Sequence, residues 1–293
     1  MIRAMSGLAA AGFFALFARA APAGTPAAII ADPAGAPGRR ASMEVMHIPT
    51  HGMAINGVLY RAAGDGAHPT LVLYHGLPGN EQNLDLAQAV RRDGWNVLTL
   101  HYRGSWGSPG AFSFAHVLED AQAALDFIRD PAVAAKYGVD RTRIAVAGHS
   151  MGGMAAAVVG GDNPGLAGVV LISAWNMGAD ARLKSGRDGV IEDMDQNRES
   201  LATTPQAMAD ELIARRGEWN FLSRAPGLAR HPLLVVTSDD GLAATDGALA
   251  AAVAADGGRV VLVHMTTDHS YSDRRIALES AVIDFLDTLA KPR

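Results

Sequence analysis

The chain of 293 residues contains no cysteine. This absence excludes disulfides, a thiolate nucleophile and any zinc or iron–sulfur site held by cysteine. Its net charge is -5 and its basic residues are scattered, so no positively charged stripe or tail indicates a nucleic-acid partner. The apolar fraction of 49% is sufficient for one large packed domain, and no part of the sequence indicates a second core.

The apolar run at the N-terminus, residues 5–17, is short for a membrane span, which takes about 20 residues. Arg3 precedes this run, and the small-residue triplet Ala18-Arg19-Ala20 follows it. This pattern predicts an export signal over residues 1–20, although a second triplet, Ala21-Pro22-Ala23, leaves the cleavage position open.

We therefore expect an exported protein, periplasmic or secreted, and the lack of disulfides favours a bacterial periplasm. An uncleaved signal that serves as a membrane anchor is the alternative. Residues 21–42 are rich in Gly, Ala and Pro and are predicted to form a flexible lead-in to a domain over residues 43–293.

Apolar, β-branched segments alternate with helical patterns along this domain. The predicted strands are residues 44–48, 54–61, 70–74, 96–102, 144–147, 166–173, 233–237 and 260–264. The predicted helices are residues 84–92, 114–129, 241–255 and 272–289. This alternation predicts an α/β fold with a mostly parallel eight-stranded sheet and helices on both faces. Active sites in such sheets lie at the carboxyl ends of the strands.

One interval, residues 175–231, breaks the alternation. It contains charged helical stretches and no convincing strand pattern. Because a structureless loop of this length is uncommon in a compact domain, we expect an inserted helical cap over the strand ends.

The motif with the clearest chemistry is Gly148-His149-Ser150-Met151-Gly152. An apolar segment precedes it and Ala-rich helical sequence follows it, which is the strand–turn–helix context of a nucleophile elbow. Ser150 is therefore the predicted nucleophile. The alternative is a glycine-rich turn that simply begins a helix.

A serine hydroxyl needs a neighbouring base to take its proton. His269 follows the last predicted strand directly, where a loop can carry its imidazole over the sheet, so we predict that it is the base. His264 lies inside the strand pattern and is expected to be a packed or edge residue. His149 is expected to shape the turn rather than to titrate.

The imidazole in turn needs a carboxylate to orient it. Two aspartates, Asp239 and Asp240, end a predicted strand, and the chain order Ser, acid, His agrees with nucleophile-elbow enzymes. We favour Asp240, while Asp239 stays open and Asp246 and Asp268 are weaker alternatives.

A tetrahedral intermediate needs backbone N–H donors for its oxyanion. The N–H of Met151, directly after the nucleophile, is one predicted donor. The N–H of Leu77, in the glycine-rich loop after the third strand, is the other. Four nearby side chains are predicted to contact substrate: His75, His149, Trp106 and Trp175.

Together these motifs resemble the α/β-hydrolase superfamily, from about residue 44 to the C-terminus. The segment His101-Tyr-Arg-Gly-Ser-Trp-Gly-Ser108 is similar to the H/D-x-R-G-x-G-x-S segment of its esterase and prolyl-oligopeptidase-like branches. The resemblance implies hydrolysis of carboxylic esters or peptide bonds with neither a metal nor an organic cofactor. Dehalogenase and epoxide hydrolase branches are disfavoured, because they place aspartate where Ser150 stands.

The leading hypothesis is a serine hydrolase that cleaves small-molecule esters of moderate acyl length through an acyl-enzyme. The first alternative is a peptidase or aminopeptidase for short peptides, which would need an acidic subsite such as Glu192, Asp193 or Glu211. Within these 293 residues no β-propeller pattern accompanies the hydrolase segment, which favours esters. The second alternative is a binding protein without catalysis on the same scaffold.

Overall fold

The computed structural model describes residues 24–33, 35 and 37–290 of the chain. The predicted export signal, residues 1–20, lies outside this part. Over the described residues, no helix has both the length and the apolar character that crossing a membrane requires.

Eight strands form one sheet, which confirms the predicted fold class. The strands are β1 (Ser42–Thr50), β2 (Met53–Arg61), β3 (His68–Tyr74), β4 (Asn96–Leu100), β5 (Val139–His149), β6 (Gly168–Ile172), β7 (Leu233–Thr237) and β8 (Val260–His264). Their order across the open sheet is β1-β2-β4-β3-β5-β6-β7-β8. Strand β2 runs antiparallel to both of its neighbours, and the pairs from β4 to β8 are parallel.

Helices connect the strands and cover the sheet. The α-helices of the described residues are α1 (Ala27–Ile30), α2 (Leu84–Arg92), α3 (Phe114–Arg129), α4 (Pro131–Tyr137), α5 (Met151–Asp162), α6 (Gly186–Asp195), α7 (Pro205–Arg215), α8 (Ala225–Leu228), α9 (Ala243–Ala255) and α10 (Arg275–Ala290). Alternate side chains of the buried strands pack into two apolar cores. One core includes side chains of α3, α5, α8 and α9, and the other includes those of α2 and α10.

Three elements differ most from the sequence-based expectation, and the other predicted strands and helices agree with it to within three residues at either end. Strand β5 begins at Val139 rather than at residue 144. Helix α4 was not predicted; it begins after Asp130, whose side chain accepts the N–H groups of Ala132 and Val133. Helix α1 lies in the predicted lead-in, where the guanidinium of Arg92 on α2 donates to the Ala28 carbonyl.

The segment between β6 and β7 is helical and contacts the body at several points. The carboxylate of Glu211 on α7 accepts the N–H groups of Phe114 and Ala115 at 2.8 and 3.0 Å, at the first turn of α3. A negative charge is favourable there because a helix N-terminus carries unpaired N–H groups and a positive dipole end. The Ala202 N–H also donates to the Gly104 carbonyl at 2.7 Å.

Candidate active site

Ser150 lies at the junction of β5 and α5, at the carboxyl edge of the sheet. Its backbone has φ 57° and ψ -118°, a conformation that a residue with a side chain rarely adopts. The neighbouring strand holds this turn, because the Ser150 N–H donates to the Ile172 carbonyl at 3.0 Å and the Ser150 carbonyl accepts the Trp175 N–H at 2.9 Å. The strained turn is therefore stabilised by surrounding hydrogen bonds, as expected for a nucleophile elbow.

The glycines on either side of Ser150 permit a very close approach of backbone segments. A Cβ atom on Gly148 would lie 1.8 Å from the Gly152 carbonyl oxygen. One on Gly152 would lie 2.1 Å from the carbonyl oxygen of Tyr74, the last residue of β3. No other residue type fits these two positions without moving the backbone.

The glycine-rich loop after β3 lies directly against Ser150. Strands β3 and β5 pair Tyr74 with Gly148, so both strands end at the same level. A Cβ atom on Gly76 would be 3.0 Å from the Cβ of Ser150. The predicted oxyanion donors are therefore on adjacent segments: the Leu77 N–H follows Gly76, and Met151 is the first residue of α5. Their role as donors stays a prediction.

His269 and Asp240 are in direct contact. The Nδ1 atom of His269 lies 2.7 Å from Oδ2 of Asp240, and the other carboxylate oxygen accepts the Leu242 N–H at 2.9 Å. The Asp240 side chain is only 4% exposed. Burial acts to raise the pKa of Asp240, but the hydrogen bonds from His269 and Leu242 outweigh it and hold that pKa well below its usual value. Asp240 is therefore ionised, and Nδ1–H of His269 donates to it, which leaves Nε2 of His269 free to accept a proton.

The other candidate aspartates have different partners. Asp239 is exposed and its Oδ1 lies 3.1 Å from Nε2 of His264 at the end of β8. Asp268 accepts the Ser272 N–H at 2.8 Å within its own loop. Asp246 is fully buried on α9 and accepts the Ala174 N–H at 2.9 Å. Of the four aspartates, Asp240 is the one hydrogen bonded to His269.

His149 connects the segment of Ser150 to the segment of His269. Its Nε2–H donates to the His269 carbonyl at 2.9 Å, and the two imidazole rings lie 4.6 Å apart. Burial, with the neighbouring His269 adding to it, lowers the pKa of His149 to about 3. His149 is therefore neutral at physiological pH and acts as a structural contact between Ser150 and His269.

Three of the four predicted substrate contacts are engaged with the protein itself. His75 and Trp175 are at most 3% exposed, as is His149. The His75 Nδ1–H donates to the Gly76 carbonyl at 2.7 Å, and burial lowers the pKa of His75 to about 4. Trp175 packs edge-on against Phe114 between the sheet and the helical segment, 5.6 Å between ring centroids. Their contact with substrate stays a prediction.

The fourth predicted contact, Trp106, is half-buried beside the oxyanion loop. Its indole N–H donates to the Pro78 carbonyl at 2.8 Å, and a Cβ atom on Gly79 would lie 2.6 Å from the indole nitrogen. The side chain thus holds the loop that carries Leu77, and its contact with substrate stays a prediction.

Sequence reasoning overlooked a cluster of buried hydroxyls near Asp240 and His269. Its members are Ser173, Ser238 and Tyr271, all fully buried. Ser173 directly follows β6, and Ser238 directly follows β7. A position just after a strand is also the signal that pointed to Asp240 in the sequence. Nothing in their spacing along the chain indicates that they meet.

A sequence profile of the family described as "Serine aminopeptidase, S33" matches residues 66–224. The chain belongs to this family. The match covers more than half of the chain and includes Ser150, and it confirms the resemblance to the α/β-hydrolase superfamily. It ends before Asp240 and His269, so the roles of these two residues depend on the geometry above.

The curated relatives are distant and match over part of their length. The chain is 34% identical over 98 residues to the alpha/beta hydrolase domain-containing protein WAV2 of Arabidopsis thaliana, covering 33% of this chain and 30% of that protein. It is 27% identical over 185 residues to the uncharacterized protein YfhR of Escherichia coli O157:H7, covering 60% and 63%. The chain thus spans less than two thirds of the length of these relatives.

Among solved structures, the fold is similar to that of a hyperthermophilic esterase from the archaeon Pyrobaculum calidifontis. The two chains superimpose with a TM-score of 0.60 at 22% sequence identity, over 85% of this chain and 86% of the esterase. At this identity the likeness shows the α/β-hydrolase fold.

Proposed function

We propose that the protein is a serine hydrolase that cleaves carboxylic esters through an acyl-enzyme intermediate. The observation that carries the proposal is the strained Ser150 backbone, φ 57° and ψ -118°, beside a bonded His269–Asp240 pair. A structural turn has no need for a serine in this conformation at the end of a parallel strand next to an oriented imidazole.

In the proposed reaction, Nε2 of His269 takes the proton of the Ser150 hydroxyl as its oxygen attacks the ester carbonyl. Asp240 stabilises the imidazolium that forms. The N–H groups of Leu77 and Met151 stabilise the oxyanion, and the imidazolium then protonates the leaving alkoxide. Water, activated by the same imidazole, releases the acid and regenerates Ser150.

Esters are favoured over peptides because two of the three acids proposed for an amine subsite, Glu211 and Glu192, are engaged or exposed. Both carboxylate oxygens of Glu211 accept N–H groups of α3, so this residue is committed to holding the helix. Glu192 is exposed on α6. Neither arrangement supports recognition of a substrate α-amino group, although the family's description names aminopeptidases.

The test is a panel of 4-nitrophenyl esters of graded acyl length together with amino-acid 4-nitroanilides, assayed with wild type and Ser150→Ala. We expect ester turnover that falls at least about 10³-fold in Ser150→Ala, because the acyl-enzyme cannot form. Preferential cleavage of the anilides would replace the esterase proposal by the peptidase alternative. Turnover that survives in Ser150→Ala would refute both.

A matched pair of variants tests the acid. Asp240→Asn keeps the size of the side chain but favours the wrong tautomer of His269, so kcat should fall by about 10⁴. Asp239→Asn, one residue away and exposed, should leave kcat within about threefold of wild type. Equal effects of the two substitutions would remove Asp240 from its proposed role.

A further inference from the structure

Tyr271 follows His269 by two residues and is fully buried, although the loop around it is at the protein surface. Its φ of 57° lies in the left-handed region, which is unfavourable for a bulky aromatic residue. Tertiary contacts must therefore hold Tyr271 in this conformation. The ring packs in the core formed with α10, and the hydroxyl enters a network of hydrogen bonds.

The network joins the hydroxyl of Tyr271 to the ends of two strands. The Tyr271 hydroxyl donates to the Val236 carbonyl at 3.1 Å and lies 2.8 Å from the Ser173 hydroxyl, which lies 3.0 Å from that of Ser238. A hydrogen bond from the Ser173 hydroxyl also helps to lower the pKa of Asp240, so the network reaches the carboxylate that contacts His269. Burial raises the pKa of Tyr271, so its proton is retained at every working pH.

In addition to the Asp240–His269 contact, this network links the segment that carries His269 to the segment that carries Asp240. Ser238 precedes Asp240 by two residues and Tyr271 follows His269 by two residues, so the network joins the two segments that carry the Asp240–His269 contact. Two backbone bonds join the same segments, from the Asp239 N–H to the Thr267 carbonyl at 3.1 Å and from the Met265 N–H to the Thr237 carbonyl at 2.9 Å. The His269 side chain itself is 39% exposed, and its ring packs against the His149 imidazole.

We propose that Tyr271 is a positioning residue for His269, and that its hydroxyl anchors the base loop to the strand ends that carry Ser173 and Asp240. The proposal rests on the proposed function, since it assigns a role relative to the base of that reaction. Tyr271 touches neither substrate nor reacting atoms. It acts by keeping the exposed imidazole aligned with Asp240.

The test is Tyr271→Phe, which keeps the buried ring and removes only the hydroxyl. With a 4-nitrophenyl ester, kcat should fall about tenfold and KM should stay within about twofold, since the loss of one buried hydrogen bond affects alignment and not binding. If the contact between Asp240 and His269 is held less firmly, Asp240 stabilises the His269 imidazolium less. The midpoint of the acid limb of kcat/KM against pH should therefore move to lower pH.

Tyr74→Phe is the matched control. Tyr74 is also fully buried, and its hydroxyl donates to the Ala121 carbonyl at 2.9 Å on the other face of the sheet. This variant should lose similar thermal stability while its pH midpoint stays at the wild-type value. The proposal is overturned if kcat and the pH midpoint of Tyr271→Phe equal those of Tyr74→Phe. It is also overturned if kcat of Tyr271→Phe falls but its pH midpoint stays at the wild-type value.

A readout without turnover separates this inference from the proposed function. The NMR signal of the His269 Nδ1 proton, identified by its loss in His269→Gln, should exchange with solvent at least about fivefold faster in Tyr271→Phe, because a loosened loop opens more often. If wild type shows no Ser150-dependent hydrolysis but this exchange accelerates, the proposed function fails and the positioning role stands. Unchanged exchange overturns the positioning role whatever the esterase result.

Discussion

Among the acidic residues near the candidate site, Asp246 has the most unusual surroundings. Its carboxyl is fully buried; one oxygen accepts the Ala174 N–H, and the other has no hydrogen-bond partner among the described residues. Burial raises the pKa of Asp246 from 3.8 to about 8, with the negative charge of Asp240 adding to the effect of burial and the Ala174 bond opposing it. Asp246 is therefore mostly protonated at neutral pH and does not compete with Asp240 for His269.

This burial predicts a pH-dependent stability. Between about pH 4 and pH 8 the unfolded chain ionises Asp246 while the folded protein keeps it protonated, so the contribution of Asp246 to stability falls as pH rises and is lost above about pH 8. Asp246→Asn removes this dependence. Urea unfolding at pH 6 and pH 9 should therefore show a smaller alkaline loss of stability in the variant than in wild type.

Asp256→Asn serves as the control, because Asp256 is an exposed carboxyl that follows the same helix. It should lose as much stability as wild type between the two pH values. If Asp246→Asn also loses as much, the buried carboxyl is not the source of the pH dependence.

At the scale of elements, the close packing of α5 against the end of β3 is the feature on which the elbow depends. Gly152 allows it, since a Cβ atom there would lie 2.1 Å from the Tyr74 carbonyl oxygen. Gly247 on α9 is the opposite case: a Cβ atom there would have no atom within 4 Å. Gly152 is thus required by close packing, whereas at Gly247 there is room for a side chain.

Alanine at these two positions should have opposite effects. Gly152→Ala should lower the free energy of unfolding by about 1–3 kcal/mol, because the added methyl group forces α5 away from β3. Gly247→Ala should raise it by about 0.5–1 kcal/mol, because alanine favours the helix. Urea unfolding of both variants measures the difference, and a stabilising Gly152→Ala would contradict the packing.

Local sequence signals predicted most elements well. Helices α2 and α3 have the predicted limits, since their apolar spacing is regular and Ser113 caps α3 through the His116 N–H. Helix α4 was not predicted because it is short and its start depends on the Asp130 cap and on Pro131. Helix α1 lies in a Gly-, Ala- and Pro-rich stretch, where contact with α2 rather than local propensity holds it.

At the scale of the whole molecule, Arg275 joins parts of the chain that are 190 residues apart in sequence. Its Nε donates to Asp85 at 2.8 Å, and both of its terminal nitrogens lie 3.1 Å from the Asn83 side-chain oxygen. It also donates to the Ser270 carbonyl at 3.0 Å, next to His269. Arg275 thereby joins the start of α10 to the start of α2 and to the loop that carries His269.

Removal of this guanidinium should weaken the whole fold. Arg275→Gln leaves Asp85 and the buried Asn83 without their cation, so the free energy of unfolding should fall by about 1.5–3 kcal/mol. Arg274→Gln is the matched control, because the neighbouring Arg274 is half-exposed and pairs with Asp273 at the surface; its effect should stay within about 0.5 kcal/mol. Equal losses in urea unfolding would show that Arg275 acts as an ordinary surface charge.

The amino-acid sequence by itself determined the fold class, the elbow around Ser150 and the loop that carries His269. These are local properties: apolar periodicity, glycines at a strand–helix junction and a histidine directly after a strand. Tertiary structure decided which aspartate contacts His269, that Glu211 holds α3, and that three buried hydroxyls meet near Asp240 and His269. Such pairings depend on strand register and loop conformation, which bring together residues whose separation along the chain carries no signal.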